Sequence, residues 1–590
     1  MYFGAVATGF LRDFAARAER RVQQLRSIRW KVVARWRRRS RRRVMEGGAP
    51  ANPPIRRAPS GAELEARPLI SFITPVYDTD PRWLRRAVKS VRAQAYPRWQ
   101  LCICDDGSTN GATRQLLSEL DGDSSIRIVR NESNSGISAA SNRALELAEG
   151  EFVAFLDHDD ELAPEALLEC VWVLNQKPET DVVYTDEDKI DRWGRHSKPF
   201  HKPDWSPELF RGVMYVGHLL VVRRSLVNEV GGFDSVFDGV QDYELMLRVS
   251  ERTQRIEHVP RLLYHWRKLP GSVASSTDAK PGIPALQAAA VNAHLRRRSI
   301  GAEAQPHPTL PHRVVMHPKP RAAWPSVDVV IPTRDAPHHI GRCLDSLYGQ
   351  TTYPNFRVYV VDNGTTDLEA LRAIRSSEAR AVPFEGPFNF SRAINDGVAT
   401  GRGEFVLLLN NDTEVVRPNW LEAMVWLAEV SDVGAVGPLL LYPNGTVQHA
   451  GVVLGMRGTA DHVLRGYPAD ADGYAGSLAC AREVSAVTGA CLLVRRDLYE
   501  EVGGLDVHFA THYQDIDFCL KIRRKGLRNL FTPRSVLIHH ESASRGPHYD
   551  HLDRALLLDR WADRIARGDP YYNPWLSLAG SDYRVRRRAA

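Results

Sequence analysis

Residues 151–161 read EFVAFLDHDDE, a run of apolar, strand-forming residues that stops at three carboxylates, Asp157, Asp159 and Asp160. A buried strand of this kind delivers its acids to the carboxyl end, where ligands bind in open α/β sheets. Hard oxygen donors there suit Mg2+ or Mn2+, and such an ion suits a diphosphate. A solvated acidic turn after a buried strand has the same appearance, so the stretch alone leaves both readings open. The pattern then recurs: residues 404–414 read EFVLLLNNDTE, with Asn410 and Asp412 in the places of Asp157 and Asp159.

The flanking sequence repeats with it. Before the first acidic stretch come ISFITPVYDTD, with a β-rich run broken at Pro75, a helical pattern over 83–94, WQLCICDDGST, IRIVRNESNSG and the helical SAASNRALELA. Strands alternating with helices at this spacing predict a mostly parallel sheet with its acidic loops on one edge. At Val327 the series restarts as VDVVIPTRD, FRVYVVDNGT and GEFVLLLNNDTE. Pro75 and Pro332 lie 257 residues apart, Asp105 and Asp362 also 257, Asp159 and Asp412 253, and Gln241 and Gln514 273. Order is kept while the offset drifts, which marks an internal duplication with insertions in the later half. The predicted organisation is a basic segment over 1–45, a Gly/Pro/Ala-rich linker over 46–68, one α/β domain over 69–275, a connection with one helix over 276–326, a second α/β domain over 327–565 and a tail over 566–590. No GxGxxG follows the first strand of either half, which argues against a nicotinamide- or flavin-dinucleotide enzyme.

Charge is concentrated at one end. Residues 1–45 carry 14 Lys and Arg against Asp13 and Glu19, a net of +12, so the overall +7 leaves −5 for the rest of the chain. Phe3, Phe10, Leu11, Phe14, Trp30 and Trp36 at roughly helical spacing among those arginines fit an interfacial helix drawn to anionic lipid; a disordered basic tail and a nucleic-acid arm are the alternatives. No apolar run reaches the roughly 18 to 20 residues of a membrane span, and MYFGAVATGFL lacks the basic start of a signal peptide. The seven cysteines show no CxxC pair and sit among apolar residues, as in a reduced compartment. These features predict a cytoplasmic protein, peripheral on the inner face of the cell membrane.

The motifs resemble family 2 glycosyltransferases of the GT-A fold, a Rossmann-like arrangement, over about 69–275 and again 327–550. The second half is similar to enzymes of O-antigen and related polysaccharide assembly, rhamnosyltransferases among them, through FNFSRAINDGVATGRGEFVLLLNNDTEV, LYPNGTVQHAGVVLG, EVSAVTGACLLVRRDLYEEVGGLD and HHESASRG; the first matches through DEDKID, HKPDWSPELF and GVQDYELMLRV. The resemblance implies an inverting transfer from a dTDP-, UDP- or GDP-sugar to a glycan or lipid-linked oligosaccharide, with Mg2+ or Mn2+ as cofactor and no nucleic acid as partner. It implies donor-binding roles for Thr74, Pro75, Tyr77, Asp105, Asp106 and Arg143, and in the second half for Pro332, Thr333, Arg334, Asp362, Asn363, Arg392 and Asn410. Asp157, Asp159 and Asp160 with His265, and Asp412 with His539 or His540, would hold the metal. Asp242 and Asp515, in VQDYELMLRV and YQDIDFCLKI, would be the catalytic bases, and Glu244, Asp517 and Trp205 would lie on the acceptor side. As isolated residues, many of these are equally read as helix caps or solvated helix positions.

Overall fold

The computed structural model describes residues 58, 64–269, 282–540 and 551–586. The basic segment over 1–45 therefore lies outside the described residues, as do most of 46–68, residues 270–281 of the connection, and the last four residues of the tail.

The first half builds a nine-stranded sheet from β1 (Ile70–Val76), β2 (Trp99–Asp105), β3 (Ile126–Arg130), β4 (Phe152–Phe155), β5 (Glu161–Leu162), β6 (Val182–Ile190), β7 (His196–Phe200), β8 (Leu220–Arg223) and β9 (Ile256–Arg267). Its order is β3-β2-β1-β4-β8-β6-β9-β5, with β7 beside β6. β1 to β4, β6 and β9 run in one direction. A hairpin, β10 (Ala302–Pro306) and β11 (Val314–Pro318), follows. The second half supplies β12 (Val327–Thr333), β13 (Phe356–Asp362), β14 (Arg380–Pro383), β15 (Phe405–Leu409), β16 (Thr413–Val415), β17 (Val433–Leu441), β18 (Val447–His449), the pair β19 (Val452–Leu454) and β20 (Ala460–His462), then β21 (Arg482–Val484), β22 (Cys491–Arg495) and β23 (Arg528–His539). The order of this sheet, β14-β13-β12-β15-β22-β17-β23-β16, repeats the first strand for strand. Both halves are GT-A-like α/β domains.

The central strands are apolar throughout because helices cover both faces. Alternate residues of β1 feed opposite layers: Ile70 and Phe72 pack with Leu84, Val88 and Leu117, whereas Ile73 packs with Ala140, Ala144 and Val153. β1 continues through Pro75 to Val76, past the expected break. Its ladder to β4 ends at Ile73↔Phe155, so Pro75 lies where the strand has β2 alone as neighbour and a missing N–H is tolerated.

The connection holds more than one helix. Helix Ile283–Arg297 and the β10–β11 hairpin bury Val291, Leu295, Ala302, Val314 and Met316 in the core layer that also contains Tyr243 and Cys480. The C-terminal segment ties the halves together: Asn573 Nδ2 donates to Asp186 at 3.0 Å and to the Lys202 carbonyl at 2.9 Å, and Trp575 Nε1 donates to the Pro260 carbonyl at 2.8 Å. All seven cysteines are buried and free, and no helix among the described residues is long and apolar enough to cross a membrane.

Candidate active site

In the first domain β4 stops at Phe155 and the chain turns through the acids before β5. Asp160 faces inward: it is fully buried and accepts hydrogen bonds from Tyr264 Oη at 2.5 Å and the Arg267 backbone N–H at 2.7 Å. Burial and the two neighbouring acids push its carboxyl well above the usual range, so it braces the turn from inside. Asp157 and Asp159 are half-buried, and His158 Nδ1 stands 3.7 Å from Asp159 Oδ1. Burial raises Asp159; His158 opposes the rise and Asp157 adds to it. Two adjacent carboxylates, one with only a long contact to His158, are a donor pair that fits a hard divalent cation.

The nucleoside end lies at the carboxyl ends of β1 and β2. The hydroxyl of Thr74 is buried without a partner, and half-exposed Tyr77 flanks it. Asp105 accepts from the Ser108 N–H at 3.0 Å. Asp106 is engaged by Asn131 Nδ2 at 2.7 Å and by the N–H groups of Ser135 and Gly136 at 2.9 and 3.0 Å, so its role is to clamp the loop after β3. Between these acids and that loop only glycine fits at 107, where φ is +72° and a Cβ would meet the Ser133 backbone at 2.6 Å. Arg143 is half-exposed and its nearest acid is Glu146 at 3.8 Å.

The second domain repeats the frame with different contents. Asp362 accepts from the Thr365 N–H at 2.8 Å as Asp105 does from Ser108, and the Asn363 N–H donates to the carbonyl of Thr333, the residue after Pro332, at 2.9 Å. Asn411 Nδ2 donates to Thr333 Oγ1 at 2.8 Å. Arg334 is exposed, and Arg392 lies over Phe384 at 4.1 Å. Where the first domain has two neighbouring carboxylates, His539 Nε2 sits 3.0 Å from Asp412 Oδ1 and 3.3 Å from Asn410 Nδ2, while His539 Nδ1 is 2.7 Å from Gln448 Oε1. His539 Nε2 and Asp412 Oδ1 point at one another, and both are atoms that a cation can take in place of the proton they share. The residues thus fit a metal here too, with one charge fewer. Burial, which would raise Asp412, is outweighed by the His539 hydrogen bond and charge, so its carboxyl lies below the usual range.

The two histidines expected to serve the same purpose do not. Glu161 faces His265 across β5–β9, whereas Thr413 faces His539 and Glu414 faces Ile538 across β16–β23. The acidic stretches align Glu161 with Glu414, so His539 is displaced by one residue from His265, and a one-residue slip in a strand turns a side chain to the other face. His265 accordingly meets Asp188 at 2.7 Å. His540 Nε2 meets Glu414 at 2.8 Å, and only its backbone N–H reaches Asp412.

Asp242 and Asp515 each occupy the second position of a helix, Gln241–Ser250 and Gln514–Arg524. Asp242 is half-buried; burial raises its carboxyl, His218 opposes the rise and Asp157 adds to it. Asp515 accepts from the Gly489 N–H at 2.8 Å. The acids two residues on have internal partners: buried Glu244 pairs with Arg248, and buried Asp517 with Arg560 at 2.7 Å and Trp561 Nε1 at 2.9 Å. Trp205 packs on Phe210, with no partner for its Nε1. The sequence reading passed over His218, whose ring stacks on Tyr264 at 4.7 Å and whose backbone N–H donates to Glu187 at 2.8 Å; Glu187 is in turn paired with buried Lys202 at 3.0 Å. GHLLVVRR aligns with GACLLVRR, but Ala490 stands in the place of His218, so the duplication carries no signal for it.

The model for glycosyl transferase family 2 matches residues 71–231 and again 328–503. The chain belongs to glycosyl transferase family 2. It is 41% identical over 544 residues to the uncharacterized protein y4gI of Sinorhizobium fredii, covering 88% of this chain and 59% of that protein. It is 39% identical over 545 residues to the O-antigen biosynthesis protein RfbC of Myxococcus xanthus, covering 89% and 42%. The chain thus spans about half the length of these curated relatives. The S. aureus TarS structure with UDP aligns at 20% identity and a TM-score of 0.30, over 40% of this chain and 74% of that one. Within one chain, then, two family 2 domains share a frame but differ at the acidic turn: Asp157 and Asp159 in one, Asn410, Asp412 and His539 in the other.

Proposed function

We propose that the chain is an inverting glycosyltransferase with two active sites, which transfers sugars from nucleotide-sugar donors to a growing bacterial surface polysaccharide such as O-antigen. The observation that carries this reading is that each domain sets a carboxylate, Asp242 or Asp515, at the second position of a helix, and that Asp242 feels the charge of Asp157 in the acidic turn. In each site the acceptor hydroxyl attacks the anomeric carbon, the Asp takes its proton, and the bond to the diphosphate oxygen breaks with its electron pair leaving on the nucleotide. Asp157 and Asp159 in the first domain, and Asp412 and His539 in the second, would hold a Mg2+ or Mn2+ ion, which would supply charge neutralisation for the leaving diphosphate. The raised carboxyl of Asp242 suits a base working near neutral pH. Asp105 and Asp362 at the strand ends suit base or ribose recognition.

A second reading, in which one domain binds glycan or nucleotide without turning over, is favoured by Asn410, which leaves the second turn with less charge for a diphosphate-bound metal. Basic residues 1–45 fit a protein held at an anionic membrane surface, where a lipid-linked acceptor would be presented. Donor chemistry is tested by nucleotide release from UDP-, dTDP- and GDP-sugars with Mn2+ or Mg2+. Turnover of one donor class that is abolished by chelation and sharply reduced in Asp159→Asn is expected; metal-independent release, or an unaffected variant, contradicts the metal assignment in the first domain.

A further inference from the structure

Three donors on three neighbouring strands come together away from the acidic turn. Asp188 on β6, His196 on β7 and His265 on β9 lie with one ligand atom from each within 4.8 Å of the others. His265 Nδ1 is 2.7 Å from Asp188 Oδ1, His196 Nδ1 is 2.8 Å from Asp188 Oδ2, and the two rings meet edge to face at 4.6 Å. From Glu187 to Ile190 the β6–β9 register is unbroken, with Glu187 opposite Tyr264 and Asp188 opposite His265. Side chains alternate along a strand, so the trio occupies the sheet face opposite Glu187, Tyr264 and the His218 ring stacked on it. The side chain of Asp188 is buried and has no other hydrogen-bond partner among the described residues.

We infer that Asp188, His196 and His265 form a second cation site, for a transition metal of the Zn2+ class. Two imidazoles and a carboxylate are a borderline-soft donor set that suits Zn2+, Co2+ or Ni2+ and disfavours Mg2+, which demands oxygen. Bonds of about 2.0–2.1 Å in a tetrahedral shell require donors roughly 3.3 Å apart, so the trio must open by about half an ångström. His196 can give that movement, because its side chain is 56% exposed on a strand paired with β6 alone. Its exposure also leaves the fourth position to water. The bound ion pins the β6–β7 hairpin to β9 and is separate from the ion at Asp157 and Asp159, so this inference stands whether or not that one does.

The test is equilibrium dialysis of the full chain against Co2+ or Zn2+ in excess Mg2+, which fills the oxygen-only sites, with metal content and the visible Co2+ spectrum as readouts. The wild type is expected to retain an equivalent that His196→Gln binds at least ten-fold more weakly, with loss of the tetrahedral Co2+ band. His196→Gln alters an exposed side chain, and its thermal unfolding without metal reports that the fold is kept; His265→Asn should lose the same equivalent. Unchanged stoichiometry, affinity and spectrum in His196→Gln overturns the site and leaves the trio as a hydrogen-bonded pair of imidazoles. Wild-type chain that keeps no Mg2+-resistant equivalent overturns it equally.

Discussion

Replacing Arg528 by methionine should loosen the junction between the two domains by an amount the structure fixes. Arg528, on β23, bonds Glu483 of the second domain and reaches Glu208 of the first at 3.5 Å, and both acids are 1% exposed. Its third partner, Asp432 at 2.7 Å, is half-exposed and contributes little. Glu208 keeps Arg211 at 2.6 Å, so the change leaves one acid, Glu483, buried with the Ser206 hydroxyl and the Glu208 backbone N–H but no counter-charge. Breaking a buried pair from one side costs about 3–5 kcal/mol, and methionine preserves the volume of the arginine stem. Burial already holds the Glu483 carboxyl above its usual range despite Arg528. A carboxyl whose folded value is raised contributes stability below its unfolded value and loses it as pH rises through the folded value. Without the arginine that value rises further, so the deficit is greatest in mild alkali and shrinks as the medium is taken from about pH 8 to about pH 5. Urea unfolding of the wild type and Arg528→Met at both ends of that range measures it, and Glu483→Gln in the variant background should recover part of the loss. A cost under about 1 kcal/mol, or a deficit that grows on acidification, would refute the reasoning.

The two acidic turns should part company in affinity: the two carboxylates of the first domain hold Mn2+ more tightly than the single carboxylate and imidazole of the second, so a chelator strips the second domain first. Free-Mn2+ spin resonance on Asp159→Asn and Asp412→Asn reads each remaining site, and simultaneous release from both contradicts the assignment. Deleting residues 1–45 should release the protein from phosphatidylserine vesicles in a sedimentation assay; equal binding by the truncated chain removes the membrane-surface reading.

The duplicated frame was legible because buried parallel strands and acidic strand ends are local patterns: β1 with Asp105, and β12 with Asp362, could be matched from sequence spacing. Asp242 and Asp515 were placed through longer motifs, and the structure sets both at equivalent helix positions. What sequence could not convey depends on register and on remote packing. His265 and His539 look alike in sequence, yet a one-residue slip in strand pairing sends one to Asp188 and the other to Asp412. Glu244 and Asp517 read as acceptor-side acids, but their partners Arg248, Arg560 and Trp561 hold them in packing roles, and two of those come from a helix some 40 residues downstream. The connection over 276–326 reads as one helix in a Pro-rich stretch, because a short hairpin that buries only alternate residues leaves a weak pattern.

The central claim, two working active sites in one chain, is tested most directly by removing one base at a time and determining the glycan made. General-base loss should slow the affected transfer by roughly a hundred- to ten-thousand-fold. With purified acceptor and donors, mass and linkage analysis should find a different sugar addition missing in Asp242→Asn and in Asp515→Asn, each variant still making the addition the other lacks. A product from Asp515→Asn identical to the wild type in every linkage would contradict the claim and leave the second domain without a catalytic part.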